Sequence, residues 1–337
     1  MTTLPPLPAK YATNPVLASA GPVIESAHDV HLDLRRIAEV ASWMAYEELP
    51  FPKYLSGFPL TGSADQILDF TLLTSTLNFA FTDFSTGQRF EVDYAGATWS
   101  DSDALFACLR RAMDAGTPVL DGKYLADITE KRLAEILTGS IPIPMLAQRA
   151  EILRSVGEVL VDKFDGRFSH VVRAAAPRVY DAAGLGLVTM LTTHFPRFDD
   201  VSPYQGHRVR FDKLAQLAVW VAFTSMGGQS GLPLEDLDQL TAFADYIVPV
   251  GLEVMGMLKY SEQLTSAIAD GTMIERDSSQ EVEIRAHTVY AVALLTAAIN
   301  MIRPTELQVV MAQVDARLWT HFHTTSGRHH LTRTIMY

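Results

Sequence analysis

Cysteine is nearly absent: the 337 residues hold one, Cys108, so no internal disulfide can form and no cysteine-rich zinc site can be assembled. A reducing compartment, the cytoplasm, is the location that fits. Positive charge is also in deficit. Lys and Arg total 27 against 39 Asp and Glu, and the net charge of −12 repels a nucleic-acid backbone, so a DNA or RNA polymer is not the expected ligand. A small anion is not excluded, because one local cation or a helix N-terminus can hold a phosphate. No stretch reaches the roughly 18 uninterrupted apolar residues of a membrane-spanning helix, and Met1 to Tyr11, with three prolines and no apolar run, does not read as a signal peptide. Phosphate loops are missing too: Met226-Gly227-Gly228-Gln229 lacks the Lys-Ser/Thr of a P-loop, and Gly184 and Gly186 stand in an apolar helical context. Nor is there a GxSxG nucleophile elbow.

What is present is apolar content of 48%, ample for a sizeable core. Residues 1–20, with Pro5, Pro6, Pro8 and Pro15, read as an irregular lead-in. Residues 21–337 read as one compact helical domain, since no repeat or long polar linker divides them. Val30, Leu34, Ile37, Ala41 and Met44 share one helical face, and Ser63 with Gln66 forms a capping-box pattern ahead of Ile67, Phe70, Leu73 and Leu77. The period then falls to two at Phe79 and Phe81 and again at Phe90, Val92 and Tyr94, around Ser85-Thr86-Gly87. This predicts one small antiparallel hairpin over about 79–95, the sole β region expected. Leu146, Ala150, Leu153, Val156, Leu160 and Phe164 make the clearest helical stripe, and further helical patterns cover roughly 168–194, 209–225, 234–244, 281–302 and 305–322. The fold class is therefore mainly α, with the hairpin as an appendage.

Ten histidines are present, four of them (His321, His323, His329, His330) near the C-terminus, but their spacing matches no zinc motif, and solvated or capping roles are the simpler reading. His28-Asp29 with His31 resembles a fragment of the helical HD phosphohydrolases, without counterparts of their downstream ligands. Carboxylates in apolar surroundings are more informative. Asp199-Asp200 follows Phe195-Pro196-Arg197-Phe198, and Asp245 lies within Phe243-Ala244-Asp245-Tyr246-Ile247-Val248-Pro249. An Asp so placed is either a helix cap or turn residue, or a paired and functional carboxylate, because an unpaired buried charge is costly.

Five blocks read in order, Leu77-Asn78-Phe79-Ala80-Phe81, Phe198-Asp199 through Tyr204-Gln205-Gly206, Lys213-Leu214-Ala215-Gln216, Phe243-Ala244-Asp245-Tyr246 and Glu281-Val282-Glu283-Ile284-Arg285, resemble the successive signatures of the queuosine salvage family, the queuosine 5′-phosphate N-glycosylase/hydrolases. The likeness runs from about Val30 to Tyr337, with departures at Thr82, where the family has Trp, and at Leu214, where it favours Arg. It implies hydrolysis of the N-glycosidic bond of queuosine 5′-monophosphate, releasing queuine for return to tRNA, with no cofactor or metal. Asp245 is then the first choice for the carboxylate facing C1′, with Tyr246 positioning it. Asp199 is the second carboxylate, suited to the secondary ammonium of the substrate. Asn78 offers amide contacts to the base, Phe79 and Phe81 either stack on it or belong to the core, and Tyr204 lines the same site. Lys213 is either a phosphate ligand at a helix N-terminus or a solvated surface lysine. The helical plan is loosely reminiscent of DNA base-excision glycosylases, by fold-level analogy alone. The competing readings are a metal-dependent HD-type phosphohydrolase and a non-catalytic protein that binds queuine or a related base.

Overall fold

The computed structural model describes residues 7–52, 62–323 and 328–337. In chain order its elements begin with α1 (Pro15–Ser26), β1 (Val30–Leu32), α2 (Leu34–Met44), α3 (Ala64–Thr76), β2 (Glu91–Tyr94), β3 (Ala97–Ser100) and α4 (Asp101–Asp114). There follow α5 (Gly122–Ala126), α6 (Glu130–Ile136), α7 (Leu146–Lys163), α8 (Phe168–Ala174), α9 (Leu187–His194), β4 (Val201–Tyr204), β5 (His207–Arg210) and α10 (Lys213–Ser225). The last are α11 (Val248–Val254), β6 (Leu258–Tyr260), α12 (Glu262–Ala269), α13 (Ser279–Ile302) and α14 (Met311–Phe322). The fold is mainly α, as its periodicities require.

The chain divides into two compact units, each gathered from separated stretches. The first comprises Met1–Pro52, Asp200–Gln216 and Asp236–Arg333. It is built round α13, a helix long and apolar enough by length and composition to cross a bilayer, but with 89% of its apolar window buried inside the protein. Helices α1, α2, α11 and α14 pack against α13. Strand β1 pairs antiparallel with β6, Val30 opposite Tyr260, and β4 pairs with β5, Tyr204 opposite His207. The first turn of α10, Lys213–Gln216, belongs to this unit.

The second unit comprises Lys53–Asp199, Leu217–Glu235 and Thr334–Tyr337. Helix α3 starts at the capping box read from the sequence, the Ser63 hydroxyl accepting from the Gln66 N–H and the Gln66 side chain from the Ser63 N–H. Helix α5 lies so close on α7 that a Cβ at Gly157 would meet the Ala126 nitrogen at 2.3 Å, which is why glycine stands there. Arg149, on the apolar stripe of α7, is fully buried. It donates to the carbonyls of Leu77 (2.5 Å), Phe79, Ala80 (2.8 Å) and Pro144 (3.0 Å). One guanidinium thus terminates α3 and pins the turn after it, where Ala80 adopts φ of +47°.

Several elements differ from expectation. The lead-in is already ordered by Ala9–Tyr11 and becomes helical at Pro15, because Asn14 caps α1 and proline is favoured at the first helical position. The hairpin lies further along than 79–95: Ala95 (φ +52°) and Gly96 (φ +83°) make its two-residue turn, Thr82 and Arg89 share only an isolated bridge, and Phe79 and Phe81 are not in a strand. It is not the sole β region, since Gln205 (φ +47°) and Gly206 (φ +85°) turn β4 into β5 in the same way. The 168–194 helix is two helices, and 234–244 has no regular structure apart from a 3₁₀ turn at Leu237–Gln239.

Replacing Arg149 by Met should strand several buried carbonyls at once, each costing about 1–3 kcal/mol, so denaturant unfolding should show a loss of at least ~3 kcal/mol. A loss below ~1 kcal/mol would show that the turn after α3 does not depend on this guanidinium.

Candidate active site

The first unit brings an acidic pair and a lysine together. Residues 240–245 have no regular secondary structure and are buried, so their backbone groups must be satisfied by side chains of other elements. Gln216 on α10 does this at Thr241, its Oε1 accepting the Thr241 N–H at 2.8 Å while its Nε2 donates to the Phe211 carbonyl at 2.9 Å. Asp315 on α14 accepts the Phe243 N–H through Oδ1 at 3.2 Å. Arg285 on α13 donates from Nε to the Ala244 carbonyl at 3.2 Å. These contacts hold the segment out of the helix that its pattern predicts.

Asp245 follows directly. Its Oδ1 accepts the N–H groups of Ile247 (2.8 Å) and Val248 (2.9 Å), a side-chain turn leading into α11, and Oδ2 accepts no hydrogen bond from any described residue. One oxygen is thus committed to the turn that leads into α11. Asp245 is 7% exposed, Lys213 6% and Asp315 2%, which takes all three largely out of water. Burial raises the Asp245 pKa, against the opposing charge of Lys213 and the two N–H donors. Burial raises that of Asp315 well above the carboxylate range, and the charge of Asp245 adds to it. Tyr246 packs its ring on His329 with centroids 4.4 Å apart, and His329 in turn favours the charged form of Asp245.

Lys213 begins α10, as expected. Its N–H donates to Asp200 Oδ2 at 3.3 Å, and its ammonium is the counter-charge felt by both Asp245 and Asp315. It is also buried, so the reading as a solvated surface lysine fails. Tyr204 is buried too, donating to Glu283 Oε1 at 2.9 Å. Burial and that carboxylate push its phenol up to about 12. Of the Asp199-Asp200 pair, Asp200 is the residue gripped inside the first unit, its two oxygens on Arg285 at 3.1 and 2.6 Å.

Asn78, Phe79, Phe81 and Asp199 belong to the second unit. Phe79 and Phe81 are buried, and the guanidinium of Arg149 lies 4.1 Å from the Phe79 ring centroid and 5.4 Å from that of Phe81, with Arg197 4.9 Å from Phe79. The core reading of Phe79 is the one realised, since its ring already serves two cations. Asn78 and Asp199 are half-buried at the ends of α3 and of a 3₁₀ turn.

The sequence reading missed Asp315, Arg285 as an individual residue, and Arg149. Each had a signal: a charged side chain on an apolar helical face, as with Asp315 between Met311, Val314, Leu318 and Phe322. The HD-type fragment finds no support. His28 and Asp29 give their backbone N–H groups to Glu283, the Asp29 carboxylate accepts the Ser261 hydroxyl at 2.5 Å, and among the described residues no three His, Cys, Asp or Glu side chains are grouped to share a metal. His321 packs on Phe322 and His323 stacks on Trp319.

The sequence model of the queuosine salvage protein family matches residues 59–337. A relative from Sphaerobacter thermophilus is 36% identical over 326 residues, 96% of this chain and 97% of that protein. Others from Bos taurus and Mus musculus are 31% identical over 82% of each chain, and 29% identical over 90% of this chain and 91% of the other. All three bear the name queuosine 5′-phosphate N-glycosylase/hydrolase. With so much of its length matched, and with the five sequence blocks in order, this chain belongs to the queuosine salvage protein family.

Proposed function

We propose that this chain hydrolyses the N-glycosidic bond of queuosine 5′-phosphate, adding water across the bond between C1′ and the base nitrogen to give queuine and ribose 5-phosphate. The shared name of relatives aligned over most of the chain supports the reaction, and the buried Asp245, Asp315 and Lys213 cluster is the observation that carries the mechanism. Departure of the base leaves positive charge on the sugar. A carboxylate held in a dry site stabilises that charge far more than it would in water, and can orient the attacking water.

Two buried carboxylates of which one feels the charge of the other favour holding a single proton between them, and the hydrogen bonds bias where it sits. Asp245 accepts two N–H groups below 3 Å, whereas Asp315 accepts one at 3.2 Å. The charge therefore resides on Asp245 and the proton on Asp315. Lys213 balances the remaining negative charge, and its role is that of counter-ion instead of phosphate ligand. The substrate is a small-molecule nucleotide, and a 7-deazapurine offers no N7 to protonate, so cation stabilisation at C1′ carries more of the barrier than in ordinary purine release.

Asp245→Asn keeps the turn acceptor but loses the charge. Turnover, followed as free queuine by chromatography, should fall at least about 100-fold while substrate binding persists; near-normal turnover would remove Asp245 from the centre of the reaction. In the wild type, kcat should decline on the acid side as Asp245 takes up a proton, at a pH above the ordinary ~4 of a carboxyl because its pKa is raised. Lys213→Met removes the cation that favours the carboxylate, so that acid limb should move to higher pH; an unmoved limb would contradict the counter-ion role. A carboxyl whose folded pKa exceeds its unfolded one opposes folding only once pH rises past the unfolded value. Asp315→Asn, which retains an acceptor for the Phe243 N–H, should accordingly raise Tm more at pH 8 than at pH 4.5. An equal change at both would show that Asp315 is not held protonated.

A further inference from the structure

Among the buried polar groups of the first unit, Arg285 stands out because it touches both backbone segments that deliver the reacting cluster. Its side chain has no measurable exposure, and its guanidinium is used along all its edges: Nε to the Ala244 carbonyl at 3.2 Å, Nη1 and Nη2 to the two oxygens of Asp200 at 3.1 and 2.6 Å, with the Phe211 ring 3.9 Å from Cζ. Glu281 approaches Nη1 at 3.6 Å. Ala244 O is part of the peptide group joined to Asp245. Asp200 Oδ2 in turn accepts the N–H of Lys213 at 3.3 Å, and the Asp200 carbonyl accepts that of Phe211 at 2.9 Å.

We infer that Arg285 is a positioning residue for the hydrolysis: through Asp200 and the Ala244 carbonyl it fixes the peptide groups that carry Lys213 and Asp245 in one frame. The inference rests on the reading of Asp245 as the group facing C1′. A fully buried ion pair is a poor device for stability alone, because well-packed apolar residues of similar volume commonly do as well or better. What an apolar replacement cannot do is hold three acceptors in one plane. The rigid fork of arginine can, and the ammonium of lysine cannot, because it is a point charge on a flexible stem. Gln216 adds a second tie between the same segments through Thr241, but its contacts lie four residues before Asp245, whereas those of Arg285 lie at the adjoining peptide. Displacement of a reacting group by about 1 Å commonly costs on the order of 100-fold in rate.

The test is a kinetic cycle on the full chain with queuosine 5′-monophosphate, using Arg285→Lys and Asp200→Asn, each alone and combined with Asp245→Asn, with melting curves to confirm folding. Arg285→Lys should leave KM within about 3-fold and lower kcat by about 30-fold or more. In the Asp245→Asn background the same change should cost less than about 3-fold, because there is no longer a charge to place. Asp200→Asn retains an acceptor for the Lys213 N–H but not the paired contact with Arg285, and should follow the same pattern; it decides the matter if Arg285→Lys does not fold. A kcat within about 3-fold of wild type, an equal loss in both backgrounds, or failure of both variants to fold would each overturn the inference, leaving Arg285 a structural residue. Those outcomes are separate from failure of the underlying reading, which would show as no queuine released by the wild-type chain or as an active Asp245→Asn variant.

Discussion

Three ionisable side chains with almost no access to water set the terms for the first unit. Asp245, Asp315 and Lys213 cannot rely on solvent to spread their charge, so protein groups must do so. The backbone responds by refusing regular structure where it would be easiest. Residues 240–245 stay irregular, which leaves the Phe243 N–H available to Asp315, the Ala244 carbonyl to Arg285, and Asp245 just ahead of a new helix, accepting the N–H groups of Ile247 and Val248. A continuous helix through this stretch would satisfy its own backbone and leave the carboxylates without donors. The acid pair is thus a constraint on the local fold as well as its chemical product.

Helix α13 supplies the supporting polar contacts. A helix buried on every side has no solvent face on which to place charge, so Glu281, Glu283, Arg285 and His287 each need a partner. Glu283 accepts the N–H groups of His28, Asp29 and Val30 through one oxygen and the Tyr204 hydroxyl through the other, joining the entry of β1 to the end of β4. His287 bonds back to the Glu283 carbonyl at 2.7 Å, and burial pushes its imidazole down to about 4, so it stays neutral. Residues two apart on α13 therefore point to different neighbours, and one rigid element fixes both the β1–β6 side of the unit and the reacting cluster.

The helices with clean stripes were legible from sequence, as were the capped start of α3 and the buried, hydrogen-bonded setting of Asp245, because all three depend on residues within one or two turns. Less local features were not. The β4–β5 hairpin hides in Val201-Ser202-Pro203-Tyr204-Gln205-Gly206-His207-Arg208-Val209-Arg210, where the alternation is brief and a proline sits in the strand, although Gln-Gly is a fair turn signal. Lys213 looked like a phosphate ligand because a cation at a helix start is the local pattern for one. That its charge also bears on Asp245 and Asp315, the last 102 residues away, is the work of tertiary structure alone. Arg149 and Phe79 tell the same story in the second unit: each looks ordinary in its own segment, and their meeting at 4.1 Å gives the Leu77–Ala80 turn its shape.

The proposed chemistry gives a reason for placing the charge on Asp245 and the proton on Asp315. If both were ionised, their repulsion would raise the cost of the empty site and leave Lys213 to offset two charges alone. If both were protonated, nothing would meet the positive sugar. One proton between them gives a single negative charge, and the asymmetry of donors, two N–H groups on Asp245 against one on Asp315, selects its location before substrate arrives. Because Oδ1 of Asp245 is committed to the N–H groups leading into α11, the proposed reaction falls to Oδ2, so the start of that helix orients the carboxylate as it stabilises it. The role as turn acceptor and the role as charge stabiliser are then one arrangement, in which the donors that anchor the side chain also keep it ionised in a dry site.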